Sequence, residues 1–231
     1  MTFWDHIEEL RKRSLYTLIV ILILAVIVFF FYEQIFVYVK DMLLPQDVSL
    51  IVITPFEALF ARMKLSLALA VVLGLPFILY EMHKFLSPAF SEKYKKAVYL
   101  LLLFFLVLFF LGLMFGFFVL IPLTFKFLLF FAYPIAQPLL SLDAVIDVVI
   151  ILMLGSAICF QIPIAMIILT VLGIASSEVF AKRRSFFLAG LALLTAVVTP
   201  DPTGVTMFLL MTPLIVLYEV GIVLTKKFKF I

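Results

Sequence analysis

Residues 81–96 read EMHKFLSPAFSEKYKK and form a polar interruption between two long apolar runs. The stretch concentrates four lysines beside the apolar side chains of Phe85 and Pro88. Each flanking run is long enough to cross a bilayer, because a helix rises about 1.5 Å per residue and the hydrocarbon core is about 30 Å thick. A lysine-rich loop in that position indicates a topological anchor that also serves as a docking surface.

The composition of the 231 residues indicates an integral membrane protein. Apolar residues make up 67% and charged residues 13%, whereas ordinary globular domains carry about a quarter charged residues. The net charge of +3 does not indicate nucleic-acid binding, because the basic residues form short clusters beside apolar runs. One cysteine, Cys159, excludes a disulfide within the chain.

Six apolar segments are predicted to cross the membrane as helices, after a short amphipathic surface helix at residues 1–13. The predicted spans are residues 14–38, 55–80, 97–121, 144–173, 185–199 and 204–225. Spans five and six are the short ones, and the fifth has only 15 residues, which is about 22 Å of helix. The sequence therefore predicts an all-α membrane protein, with residues 1–231 as a single integral membrane domain.

The basic residues predict the orientation of these spans. Thirteen of the 17 lysines and arginines flank the same side of the predicted membrane. The positive-inside rule then places both termini in the cytoplasm, in a multi-pass protein of the cytoplasmic (inner) membrane. The thirteen are Arg11, Lys12, Arg13, Lys84, Lys93, Lys95, Lys96, Lys182, Arg183, Arg184, Lys226, Lys227 and Lys229.

Two polar side chains are predicted at membrane depth, where each costs free energy unless it has a partner. For Gln161, an interhelical hydrogen bond and a polar point on an inward face are equally good interpretations. For Glu219, the simpler interpretation is contact with the inner interface or pairing with Lys226 or Lys227. Asp201 lies between two prolines and is predicted as an extracytoplasmic turn residue or helix cap, with a functional acid as the alternative.

The remaining polar residues indicate recognition of a partner. No serine, cysteine or carboxylate arrangement predicts catalysis, so neither an enzyme nor a cofactor is expected. The two histidines lack further ligands at metal-binding spacing. Four glutamates stand among the inner-side lysines and arginines and could present carboxylates to a cationic partner. A solvated, mutually screened surface is the alternative for each one. The four glutamates are Glu8, Glu9, Glu81 and Glu92.

The order of short motifs along nearly the whole chain resembles the TatC family, the multi-spanning receptor subunit of the twin-arginine (Sec-independent) protein translocase. The motifs are HIEELR at 6–11, TP at 54–55, LPFILY at 75–80, FLSPA at 85–89, IPL at 121–123, FQIP at 160–163 and TPD at 199–201, followed by Pro213 and Tyr218-Glu219.

The resemblance implies a receptor for Arg-Arg signal peptides in a translocase that exports folded precursors, using the proton gradient. Implied partners are those signal peptides, small single-span TatA/TatB-type subunits, other copies of the chain and membrane lipids, with no nucleic acid. The signal-binding residues that it implies are Glu8, Glu9, Arg11, Phe85, Pro88, Glu92 and Tyr94.

The chain departs from the family at two acidic positions. Two inner-face glutamates of the family read the arginine pair, and Glu9 matches the first. The second falls at Tyr94, which has no carboxylate. Recognition of the arginine pair by Glu92 or Glu8 is therefore the alternative. The family's glutamate in span four is here Gln161. A small-solute transporter or channel with Gln161 and Glu219 along its path is the alternative function, and a membrane enzyme has the least support.

Overall fold

The computed structural model describes residues 3–45, 48–89, 92–199 and 204–228, apart from the side chains of residues 3, 5, 89, 92–94 and 228. Ten α-helices and two short strands lie within these residues. The helices are α1 (Phe3–Phe30), α2 (Tyr32–Leu43), α3 (Glu57–Leu86), α4 (Glu92–Phe115), α5 (Ile121–Ala132), α6 (Leu142–Cys159), α7 (Ile162–Val171), α8 (Ser177–Lys182), α9 (Arg184–Val198) and α10 (Val205–Phe228). The strands, β1 (Ser49–Ile51) and β2 (Leu139–Ser141), pair into a two-stranded sheet.

The described helices supply six membrane spans. Five helical segments are long and apolar enough to cross a membrane: His6–Phe30, Glu57–Leu86, Lys95–Ala132, Leu142–Val171 and Val205–Lys227. The fifth span in chain order is the shorter apolar helix α9, with 15 residues. The chain is thus an all-α membrane protein. Spans five and six were both predicted to be short. Only span five is short, because span six is α10, which has 24 residues.

The N-terminal helix differs from the predicted division at residue 13. α1 runs unbroken from Phe3 to Phe30, so the amphipathic segment and the first span are one helix. The break comes at Phe31, inside the predicted span 14–38. There the Arg62 side chain donates to the carbonyl oxygen of Phe29 at 2.8 Å and lies 4.4 Å from its ring centroid. A side chain that inserts into the backbone ladder is a common cause of a helix break.

Prolines shape the third and fourth spans. A π-helical turn at Gly116–Leu120 precedes Pro122, and the helix then continues to Ala132, beyond the predicted end at residue 121. Proline lacks an N–H and crowds the carbonyl four residues earlier, and the wider π turn accommodates both effects. In the fourth span, α6 ends at Cys159 and α7 begins at Ile162, directly before Pro163.

The chain divides into two compact units. The first comprises Met1–Met42, Leu50–Leu106 and Leu140–Asp147, and within it α1 packs on α3. The buried positions of α3 recur every three or four residues, as expected for one packed helix face. They include Ala61, Leu65, Ala68, Val72, Leu75 and Leu79.

The second unit comprises Leu43–Ser49, Val107–Leu139 and Val148–Ile231. Within it α10 packs against α7, α8 and α9. The buried core of that packing contains Met166, Phe180, Leu191, Tyr218 and Ile222. The hydroxyl group of Tyr218 donates to the carbonyl oxygen of Phe180 at 2.8 Å and so ties α10 to α8.

Candidate functional site

Two carboxylates and one guanidinium meet where the first turns of α1 pack against the last turns of α3. Nη1 of Arg13 donates to Oε2 of Glu81 at 2.8 Å, while Nε and Nη2 donate to Oε1 of Glu9 at 3.0 and 2.6 Å. Glu9 and Arg13 share a helix face because they are four residues apart. We call Glu9, Arg13 and Glu81 the inner cluster.

Partial burial strengthens the inner cluster. The exposed fractions of the Glu9, Arg13 and Glu81 side chains are 19%, 22% and 10%. Charge-assisted hydrogen bonds gain strength where water is partly excluded. This cluster is therefore a stronger ion-pairing site than an open surface pair of the same residues.

The two oxygens of the Glu9 carboxylate differ in their contacts. Oε2 of Glu9 is buried and has no hydrogen-bond partner among the described residues. An ionised carboxylate offers about four acceptor positions, and leaving a buried acceptor unpaired costs about 1–3 kcal/mol. The Glu9 carboxylate therefore retains capacity for a further donor.

An aromatic and apolar surface adjoins these carboxylates. The His6 ring stacks on Phe85 with centroids 4.5 Å apart and an interplanar angle of 25°. Phe85 follows Glu81 by four residues on α3, so the two side chains lie on the same helix face. Pro88 is exposed in the 3₁₀ turn Ser87–Ala89 that follows. This surface can hold apolar residues next to a bound cation.

The other predicted inner-side residues fall into two groups. Glu8 and Arg11 are exposed, and neither forms an ion pair within the part of the chain that the structure describes. The side chains of Glu92 and Tyr94 lie outside the described residues, as does Asp201. Of the seven predicted signal-binding residues, Glu9 and Phe85 thus lie on two helices that pack together, with Phe85 against His6, and Pro88 follows closely in the chain.

The two polar residues of the spans lie in different surroundings. Gln161 lies between α6 and α7, and its Nε2 donates to the carbonyl oxygen of Ala157 at 3.2 Å. Glu219 pairs with Arg184 at 2.9 Å, which corrects the predicted pairing with Lys226 or Lys227. The reason is packing: α9 begins at Arg184 and lies against α10, so Arg184 is already beside Glu219.

A second ion-pair network lies at the beginning of α3 and α6. Nζ of Lys64 donates to Asp143 at 2.8 and 2.9 Å and to Asp147 at 2.8 and 3.0 Å. These partners are 79 and 83 residues away in the sequence, so no local pattern predicts them. Lys64, Asp143 and Asp147 are named the outer network here.

Glu57 extends the contacts around the outer network. Its Oε1 accepts from Ser141 Oγ at 2.5 Å and from the Asp143 amide at 3.1 Å. Its Oε2 accepts from the amides of Ile53 and Thr54, which precede the first turn of α3. Among the described residues, no three His, Cys, Asp or Glu side chains lie close enough to hold a metal ion.

Known proteins match the chain over nearly its whole length. A family model described as "Sec-independent protein translocase protein (TatC)" matches residues 5–213. A TatC protein of that description from Aquifex aeolicus is 35% identical over 230 residues, covering 98% of this chain and 95% of the relative. A Synechocystis relative is 31% identical over 223 residues, covering 96% of this chain and 87% of the relative.

A chloroplast relative and a solved structure give the same result. The Arabidopsis thaliana protein named TATC, chloroplastic, is 30% identical over 226 residues, covering 98% of this chain and 66% of the relative. A crystal structure described as the twin-arginine translocase receptor TatC superimposes with a TM-score of 0.80 at 35% identity, covering 96% of this chain and 99% of that one. This multi-pass membrane protein therefore belongs to the TatC family of Sec-independent protein translocase proteins.

Proposed function

We propose that this chain is the receptor for twin-arginine signal peptides and the core subunit of a translocase that exports folded proteins across the cytoplasmic membrane, driven by the proton gradient. The observation that supports this proposal most directly is that Glu9 and Glu81 both bind a single guanidinium, that of Arg13. A site that holds an arginine of its own chain has the chemistry to hold arginines of another. Membership of a translocase family supports the same conclusion.

The energetics favour arginine recognition at the inner cluster. An exposed ion pair contributes about 0–1 kcal/mol, which is too little to select one signal. Charge-assisted hydrogen bonds contribute about 1.5–3 kcal/mol each. The planar fork of arginine can donate two parallel bonds to a carboxylate, which the ammonium group of lysine cannot do. Oriented carboxylates therefore discriminate between an Arg-Arg and a Lys-Lys peptide.

The partners of this receptor follow from the same proposal. Small single-span TatA/TatB-type subunits and further copies of the chain would complete the translocase. α9 offers an apolar surface for such helices or for lipid, since Phe186, Leu193 and Val197 are 74%, 71% and 84% exposed. The contacts of Glu219 do not favour the transporter alternative, because its carboxylate is engaged with Arg184.

Peptide capture tests the receptor role. The full chain in lipid nanodiscs is titrated with a fluorescent Arg-Arg signal peptide and with its Lys-Lys counterpart. We expect binding of the first only. Glu9→Gln should weaken that binding about tenfold, since it removes one charge-assisted interaction, and should weaken it more than Glu8→Gln does, because Glu8 is exposed.

Asp41→Asn serves as the control for charge. Asp41 is an exposed carboxylate on α2, and its replacement should leave both titrations unchanged. Equal capture of the two peptides by the parent chain, or unchanged capture by Glu9→Gln, would contradict the receptor role. Solute flux through liposomes that contain this chain alone would favour the transporter instead.

A further inference from the structure

We infer that Arg13 is a resident competitor at the signal site: it occupies the Glu9–Glu81 pair in the empty receptor, and the arginine pair of a signal peptide displaces it. The inference rests on the proposed function and deepens it by naming a residue that sets the affinity of the site. Arg13 itself belongs to none of the signal-binding residues that the sequence indicated.

The first argument is chemical identity. Arg13 presents the same group that the proposed ligand presents, and it uses three donors to bridge both carboxylates. The packing of α1 on α3 sets the separation of these carboxylates. Because this separation fits the guanidinium of Arg13, it also fits the guanidinium of a peptide arginine. Arg13 and the peptide therefore compete for the same acceptors.

The second argument is the incomplete fit of the resident. Nε and Nη2 of Arg13 both donate to Oε1 of Glu9, and Oε2 of the same carboxylate stays buried without a partner among the described residues. A fork-to-fork arrangement would engage both oxygens. An incoming guanidinium that reaches Oε2 therefore gains a bond that Arg13 does not make.

The third argument is the balance of charge. The inner cluster holds two carboxylates and one guanidinium, which leaves one negative charge in excess. Two signal arginines would neutralise both carboxylates once Arg13 leaves. Arg13 is 22% exposed, and its flexible stem allows the charged head to turn into water. Exchange of one cation for two is thus electrostatically favourable.

A resident arginine also sets an affinity threshold. Any ligand must replace the charge-assisted hydrogen bonds of a guanidinium, and an ammonium group supplies no planar fork for that purpose. Arg13 therefore weakens the binding of every cationic peptide by the same factor, and the lysine peptides, which bind more weakly from the start, fall below a measurable affinity.

Arg13→Gln in the full chain tests the competition. Removing the resident should tighten Arg-Arg binding about tenfold, since at least one charge-assisted interaction no longer has to be displaced. Lys-Lys binding should tighten by the same factor and so become measurable. Lys12→Gln is the matched control: Lys12 is the exposed neighbour and carries the same charge, and its replacement should change neither affinity.

The outcomes separate the inference from the proposed function. If Arg13→Gln binds the Arg-Arg peptide more weakly or equally well, the competition is overturned, because a positioning role predicts a loss of binding. That result leaves the receptor role standing. Absence of Arg-Arg binding by the parent chain overturns both. If Arg13→Gln is not recovered folded, Arg13→Lys keeps the charge and loses the fork. It should tighten Arg-Arg binding by a smaller factor, and a decrease overturns the inference.

Discussion

At the residue scale, Lys64 joins two helices through opposite charges. Its ammonium group lies 2.8 Å from both Asp143 and Asp147. These aspartates are four residues apart on α6, where like charges repel. Lys64 offsets that repulsion and connects α3 to α6 in the first unit. The side chains remain 39%, 32% and 45% exposed, so screening limits the stabilisation.

Lys64→Met should lower the thermal unfolding temperature of the purified protein. The substitution removes the cation and leaves two repelling carboxylates, a loss of about 1–2 kcal/mol. Adding Asp143→Asn and Asp147→Asn should restore part of the loss, because the repulsion disappears with the charges. Lys40→Met, an exposed lysine on α2, is the control. Equal shifts for Lys40→Met and Lys64→Met would show that the outer network adds nothing.

The candidate site was predictable from the sequence only in part. The spacing of Glu9 and Arg13 within one helix is visible in the sequence, and the resemblance singles out Glu9. Glu81 is 68 residues from Arg13, and only helix packing brings them together. The pairing of Glu219 with Arg184 depends on packing in the same way. The signal-binding roles of all seven predicted residues stay predictions: Glu8, Glu9, Arg11, Phe85, Pro88, Glu92 and Tyr94.

At the element scale, small residues allow two helices of the second unit to approach closely. A Cβ atom at Gly112 would lie 2.6 Å from Ala157 Cα and 2.9 Å from the Ser156 carbonyl oxygen. The Ser156 hydroxyl donates to the Gly112 carbonyl oxygen at 2.8 Å, a bond that this close approach permits. Small residues at such crossings are typical of membrane helices.

Gly112→Ala should therefore destabilise the second unit. The added methyl group meets backbone atoms, which cannot move aside as a flexible side chain can, and overpacking of this kind costs about 1–3 kcal/mol. Gly190→Ala is the control, because no atom beyond its chain neighbours and the adjacent backbone of its own helix lies within 4 Å of its Cβ position. Unfolding followed by circular dichroism in detergent measures both variants. Equal stability of the two variants would contradict the close crossing.

The existence of the spans was predictable, whereas the form of their interruptions was not. Apolar length alone locates a helix that must satisfy its backbone hydrogen bonds inside a membrane. The break at Phe31 accompanies contacts from Arg62 on another helix, and no local pattern announces such contacts. Pro122 and Pro163 do indicate that the helices around them are irregular. The result is a π turn in one span and a new helix in the other, and which of these forms occurs depends on the surroundings of each proline.

At the scale of the whole molecule, the distribution of charge fixes the orientation that we propose. Lysines and arginines resist transfer across the membrane, so the side that carries most of them stays in the cytoplasm. The inner cluster then faces the compartment in which precursors are made. The receptor role requires this orientation, because a signal peptide must be read before its precursor is exported.

Cysteine labelling in intact cells measures that orientation. Cys159 is buried, and Cys159→Ser gives a background without thiols, since the chain has one cysteine. In that background, Ala136→Cys replaces an exposed residue between α5 and β2, while Lys12→Cys and Lys227→Cys replace exposed lysines near the two ends. A membrane-impermeant maleimide should label only Ala136→Cys in intact cells and all three after the membrane is opened. Labelling of Lys12→Cys in intact cells would place the inner cluster on the wrong side for a receptor of precursors.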